Sequence, residues 1–114
     1  MVNMKYIPAK GDVAWIDFDP TKGHEQNGRR PALFISSEKY NRISGRAICC
    51  PITSKIKNYV FEVPFEGEII KGAILTDQIR TMDFNERNID FIEKISHEVF
   101  ATVEDRMKEL LFGS

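Results

Sequence analysis

The 114-residue chain holds only two cysteines, two histidines and one tryptophan. The cysteines are neighbours, Cys49 and Cys50. On a strand, adjacent side chains point to opposite faces, so a bond between them is awkward. They read as reduced thiols acting as small hydrophobes. With only His24 and His97 besides, no cluster of zinc-site spacing exists, and no metal or cofactor is expected. No apolar run approaches membrane-spanning length, and the opening MVNMK lacks the apolar region of a signal peptide. A cytoplasmic protein without membrane contact is expected. Repeats, low-complexity tracts and linkers are absent too, and the length suits one domain over residues 1–114.

Net charge is also small, at −1, which by itself argues against a nucleic-acid partner. Its distribution argues the other way. Between Thr21 and Asn58 stand eight Lys or Arg and two acids, a local charge of +6 that leaves −7 for the rest. That asymmetry fits a cationic face for an anionic partner, or a mixed surface that is uneven only along the sequence.

Short apolar runs rich in β-branched and aromatic residues predict strands at Asp12–Phe18, Pro31–Ser36, Arg46–Thr53 and Tyr59–Phe65. A long fifth is predicted over Gly72–Asp83 and a short sixth over Asn88–Ile95. Proline opens the second strand, where its missing N–H does least harm. SEKYNRIS, from Ser37 to Ser44, reads as one helical turn. The period changes at the end: Val99, Phe100, Val103, Met107, Leu110 and Leu111 mark one face of a helix, with Ser96 as N-cap and Gly113 as stop. That stripe reads as core packing. Without helices between strands a parallel sheet is excluded, so the expectation is a mainly β fold with a C-terminal α-helix, a small curved antiparallel barrel or half-barrel.

The connection from Asp19 to Pro31 carries GHEQNGRRP and is near the length at which loops are usually functional or disordered; its contents favour function. Gly23 and Gly28 permit close approach of a partner. Arg30 is biased to an extended backbone by the proline after it, and its guanidinium can grip a phosphate through two parallel hydrogen bonds. Metal-free RNA cleavage by the 2′-hydroxyl needs a base, a cation over the phosphorus and an acid at the leaving oxygen. His24 and Glu25 suit proton transfer and Arg30 suits charge stabilisation. A solvated loop with incidental ion pairs has the same composition.

Together, FDPTKGHEQNGRRPALFIS, the later CPIT and LTDQIRTMD resemble the MazF/PemK/Kid family of toxin endoribonucleases from bacterial toxin–antitoxin modules. The likeness runs from about Tyr6 to Leu111. It implies an SH3-like barrel that forms a homodimer, cleaves single-stranded RNA at short sequences without metal, and is silenced by a cognate acidic antitoxin. Carried over by motif, the arginine before proline is Arg30 and the threonine of the P-x-T is Thr53. The glutamate of the HEQ turn is Glu25, and the histidine and aspartate of the plasmid branch are His24 and Asp77. That branch has arginine where this chain has Leu75, which shifts weight to Arg30 and Thr53. Gln26, Asn27, Arg29, Lys55, Lys57, Asp77 and Gln78 are the candidates for holding substrate.

Strand alternation puts Asp77 with Leu75 and Ile79; if that face is the core face, Asp77 is partly buried and needs donors, Arg30 or backbone amides among them. Two other functions fit the same residues: a small barrel that binds RNA or DNA without cutting it, and an interaction domain that takes an acidic peptide.

Overall fold

A computed structural model describes residues 5–19 and 28–113. Seven strands and two helices follow in the order β1 (Asp12–Asp17), β2 (Arg29–Phe34), α1 (Glu38–Ser44), β3 (Arg46–Thr53), β4 (Glu62–Glu66), β5 (Lys71–Leu75), β6 (Arg80–Asp83), β7 (Asp90–Lys94) and α2 (His97–Phe112). All pairings are antiparallel. The order is β4-β5-β3-β2-β1-β7, with β6 also on β3, in a sheet curled into a half-barrel.

The apolar runs are continuous because the strands are covered on both faces. Val13, Leu33 and Cys50 join Ile52, Val63, Phe65, Ile74 and Val103 in one cluster, against which Val99, Phe100 and Met107 of α2 pack. Their sequence neighbours Ala14, Ala32, Phe34 and Cys49 point the other way, to Ile16, Met82 and Phe84, under Tyr6, Ile7 and Ile89. Cys49 and Cys50 are free and buried on opposite faces, as strand alternation requires.

Both helices start as the sequence indicates. Ser37 accepts from the Tyr40 N–H at 3.2 Å and Ser96 from that of Val99 at 3.2 Å. Gly45 stops α1 with φ 74°, a left-handed conformation that glycine adopts without strain. α1 is longer than the single turn expected, and its Asn41 is fully buried, donating to the Pro8 carbonyl at 2.7 Å. The stripe on α2 is core only as far as Met107. Leu110 and Leu111 are exposed and stand outside the core cluster.

Three strand boundaries differ from expectation. β2 begins at Arg29, so Pro31 is its third residue and both arginines belong to the strand. β4 begins at Glu62 rather than Tyr59; the buried Glu62 carboxylate accepts the Lys57 and Asn58 N–H groups, each at 2.8 Å, and holds the preceding segment as a loop. The long fifth strand is two strands. Ile52 pairs with Ile74 and Cys49 with Arg80, so six steps on one side oppose three on the other. The excess is drawn off at Thr76, whose hydroxyl and N–H both donate to the Phe61 carbonyl, at 2.6 and 3.1 Å. Asp77 therefore does not alternate with Leu75 and Ile79. It sits exposed on a turn and accepts from the Tyr59 hydroxyl, which raises the Tyr59 pKa.

Among the described residues no helix is long and apolar enough to cross a membrane.

Burial pushes both thiols up from 9.0 to about 12, helped by Cys50 for Cys49 and by Asp77 for Cys50. A thiol that ionises later in the folded than in the unfolded chain contributes stability that is whole below pH about 9 and lost as pH rises toward about 12. Neither cysteine should react with a disulfide reagent at pH 8 until urea is added. Rapid native labelling of either would show that the burial is not maintained in solution.

Candidate active site

The site begins where β2 and β3 part. Their ladder pairs Phe34 with Cys49, Leu33 with Cys50 and Ala32 with Pro51, and stops there. Ile35 donates its N–H to the Ile48 carbonyl at 2.9 Å, so odd-numbered residues of β2 direct their N–H toward β3. Pro31 is such a position and has no N–H to give. β3 instead pairs Ile52 and Thr53 with Ile74 and Ala73 of β5. Continued past its end, the ladder register would set Arg30 opposite Thr53. The two residues thus stand on either side of the fork.

The fork opens into a cleft of about 500 Å³ lined by Trp15, Arg29, Arg30, Pro31, Ile52, Thr53, Ser54, Lys55, Ile70 and Lys71. Among the described residues no acid lines it. Arg30 is exposed and, like Lys55 and Lys71, has no ion pair or side-chain hydrogen bond among the described residues. The Thr53 Oγ1 accepts from the Lys55 N–H at 3.1 Å, which leaves its own proton free to donate. Trp15, 38% exposed, adds an aromatic surface on the β1 side, where it pairs with Pro31.

Arg29 has a different part from its neighbour. Its guanidinium reaches Asp17 at 3.3 Å, the Asn88 carbonyl at 2.5 Å and Asp90 at 2.5 Å. It locks β1 and β2 to β7 at the root of the loop. Arg87 donates to the carbonyls of Asp17 and Phe18 at 3.1 and 2.9 Å, and the Phe18 N–H reaches the Gly28 carbonyl at 2.5 Å. Arg80 lies over the Phe18 ring at 5.2 Å. Three arginines thus fix the points where the GHEQNGRRP loop leaves and rejoins the sheet.

Of the candidates from sequence, Arg29, Arg30, Thr53 and Lys55 meet at the cleft. Lys57, Asp77 and Gln78 do not line it: Lys57 lies in the loop tied to Glu62, and Asp77 and Gln78 on the turn after β5. His24, Glu25, Gln26 and Asn27 lie outside the described residues. Trp15, Ser54, Ile70 and Lys71 were not foreseen. A solvent-phase tryptophan between two buried strand residues was a signal for the first. Lys71 had none, since only the β3–β5 pairing brings it beside Thr53.

A cleft with cations on both walls, a hydroxyl and an exposed indole is suited to a phosphodiester with an unpaired base beside it. Residues 9–111 match the model of the PemK-like, MazF-like toxins of type II toxin–antitoxin systems. The chain belongs to that family. It is 36% identical over 107 residues to the Escherichia coli K12 endoribonuclease toxin MazF, covering 94% of this chain and 96% of that one. Against the Bacillus subtilis endoribonuclease EndoA the identity is 32% over 108 residues, covering 90% and 92%. Crystallised Deinococcus radiodurans MazF superposes with TM-score 0.84 at 37% identity, covering 94% of this chain and 98% of that chain. A MazE–MazF complex from the same organism gives TM-score 0.84 at 32% identity, with coverage of 96% and 100%. The MazF-like fold here is therefore that of endoribonuclease toxins.

Replacing Arg29 with alanine should lower stability by roughly 1–3 kcal/mol, because the part-buried Asp17 carboxylate loses its charged partner and the Asn88 carbonyl its donor. Chemical denaturation would measure it. A melt indistinguishable from wild type would mean that Arg29 is not a clamp.

Proposed function

We propose that this toxin cleaves single-stranded messenger RNA at short sequences, by attack of the 2′-hydroxyl on the adjacent phosphorus. The 2′-oxygen forms its bond to phosphorus, the bond to the 5′-oxygen breaks, and the ends are a 2′,3′-cyclic phosphate and a 5′-hydroxyl. The observation that carries this reading is the placement of Arg30 and Thr53 across one fork, with Lys55 and Lys71 on its rim.

The reaction concentrates negative charge on the non-bridging oxygens. Arg30 stabilises it with two parallel hydrogen bonds, and the Thr53 hydroxyl donates a third. Side-chain cations supply the charge that a divalent ion would bring elsewhere, so cleavage proceeds without metal. Lys55 and Lys71 hold flanking phosphates, and Trp15 stacks on a base. One proton leaves the 2′-hydroxyl and one is delivered to the 5′-oxygen. In the GHEQN segment, His24 and Glu25 are the groups whose chemistry suits those transfers, and Gln26 and Asn27 those suited to reading bases.

One cleft is short for several nucleotides, and two copies about a two-fold axis would join their clefts into a groove. The same cationic surface attracts an acidic, MazE-like antitoxin that blocks it. The site of action is the cytoplasm, where messenger RNA is translated.

Arg30→Ala should reduce cleavage roughly a hundredfold or more with an unchanged melt, and Arg30→Lys should restore only part, because lysine lacks the planar fork. Near-normal turnover of Arg30→Ala would remove Arg30 from the chemistry.

Cleavage should persist in EDTA and fail on RNA carrying a 2′-deoxy sugar 5′ to the cut, while that RNA still binds. Cutting of the deoxy substrate at that bond would point to water as nucleophile, and binding without any cutting of normal RNA to a non-catalytic module.

A further inference from the structure

β4 and β7 end the strand order on opposite sides. Glu93 of β7 reaches across from one end toward the other. Its Oε1 accepts from the Glu68 N–H at 2.9 Å and its Oε2 from the Ile70 N–H at 3.0 Å, while the Ile69 N–H lies 3.3 and 3.2 Å from the two oxygens. Three successive amides of the β4–β5 turn therefore enclose one carboxylate, a concave backbone arrangement that favours an anion. The turn is shaped for it. Gly67 donates to the Ile70 carbonyl at 2.8 Å, and a Cβ at Gly67 would lie 2.3 Å from the Glu93 Oε2. Only glycine admits the carboxylate so close.

The next residues form a wall of the cleft. Ile70 and Lys71 line it, and Gly72 lets β5 approach β3: a Cβ there would stand 2.5 Å from the Thr53 carbonyl. Glu93 thus fixes one end of a five-residue path, 68–72, whose other end lies against Thr53. Glu93 also pairs with Val13 of β1, the strand that carries Trp15. A single side chain ties the Trp15 side of the cleft to the Lys71 side.

We propose that Glu93 is a positioning residue for RNA binding, acting through the 68–70 turn to hold Lys71 at the cleft; this rests on the RNA-cleavage reading above. Glu93→Gln keeps the shape but turns an amide donor toward backbone donors, so the turn loosens. Its KM for a short single-stranded RNA should rise roughly tenfold with kcat within about twofold, since Lys71 grips substrate and transition state alike. Amide exchange at Glu68, Ile69 and Ile70 should accelerate. Combined with Lys71→Ala, Glu93→Gln should add less than about twofold, because both changes remove the same contact. Glu93→Asp, which keeps the charge with a shorter reach, should fall between, and it serves if the glutamine variant does not fold.

Unchanged exchange at the 68–70 amides in Glu93→Gln would overturn the anchoring. Faster exchange with unchanged KM, or penalties that multiply in the double variant, would overturn the link to Lys71. A wild-type chain that cuts no RNA overturns the cleavage reading instead, and the exchange measurement tells the two failures apart.

Discussion

One missing hydrogen-bond donor organises the site. Pro31 cannot give the N–H that would carry the β2–β3 ladder onward, so β3 turns to β5 and a gap opens between strands that otherwise lie in contact. Arg30 and Thr53 come to line one cleft because they stand just beyond that break. In an intact sheet the same residues would face each other as an ordinary cross-strand pair, without room between them for a phosphate.

A gap of this kind needs support on both sides. On the β2 side Arg29, Arg87 and Arg80 hold the root of the polar loop through carbonyls, carboxylates and an aromatic face. On the β5 side the support is backbone proximity at Gly72 and the carboxylate of Glu93. The arrangement leaves Arg30, Lys55 and Lys71 outside these networks and able to meet a ligand. Adjacent arginines with opposite duties, Arg29 anchored and Arg30 exposed, follow from successive strand side chains pointing to opposite faces.

Charge separation serves the same end. The chain is nearly neutral as a whole, yet the described residues lining the cleft include four cations and no acid. One of the four, Arg29, is already neutralised by Asp17 and Asp90, so the field reaching solvent comes from the other three. A small domain can in this way draw an anionic chain to one place while the rest of its surface stays acidic.

Much of this was legible in the sequence. Strand composition fixed β1 and β3 nearly to the residue, and Ser96 marked the start of the C-terminal helix. Those signals are local: propensity and caps act within a few residues. Local signals misled at Gly72–Asp83, where the hydroxyl of Thr76 finds a carbonyl fifteen positions away and breaks an otherwise continuous strand pattern. That bond moved Asp77 off the sheet face. Lys71, Trp15 and Glu93 depend likewise on which strands end up side by side, and a side chain on β7 holding a turn between β4 and β5 has no trace along the chain. The sequence by itself determined most of the elements and the cationic bias, since these follow from residue type and spacing. The cleft's second wall was decided only by tertiary pairing, because hydrogen bonds between distant strands choose neighbours that no local pattern records.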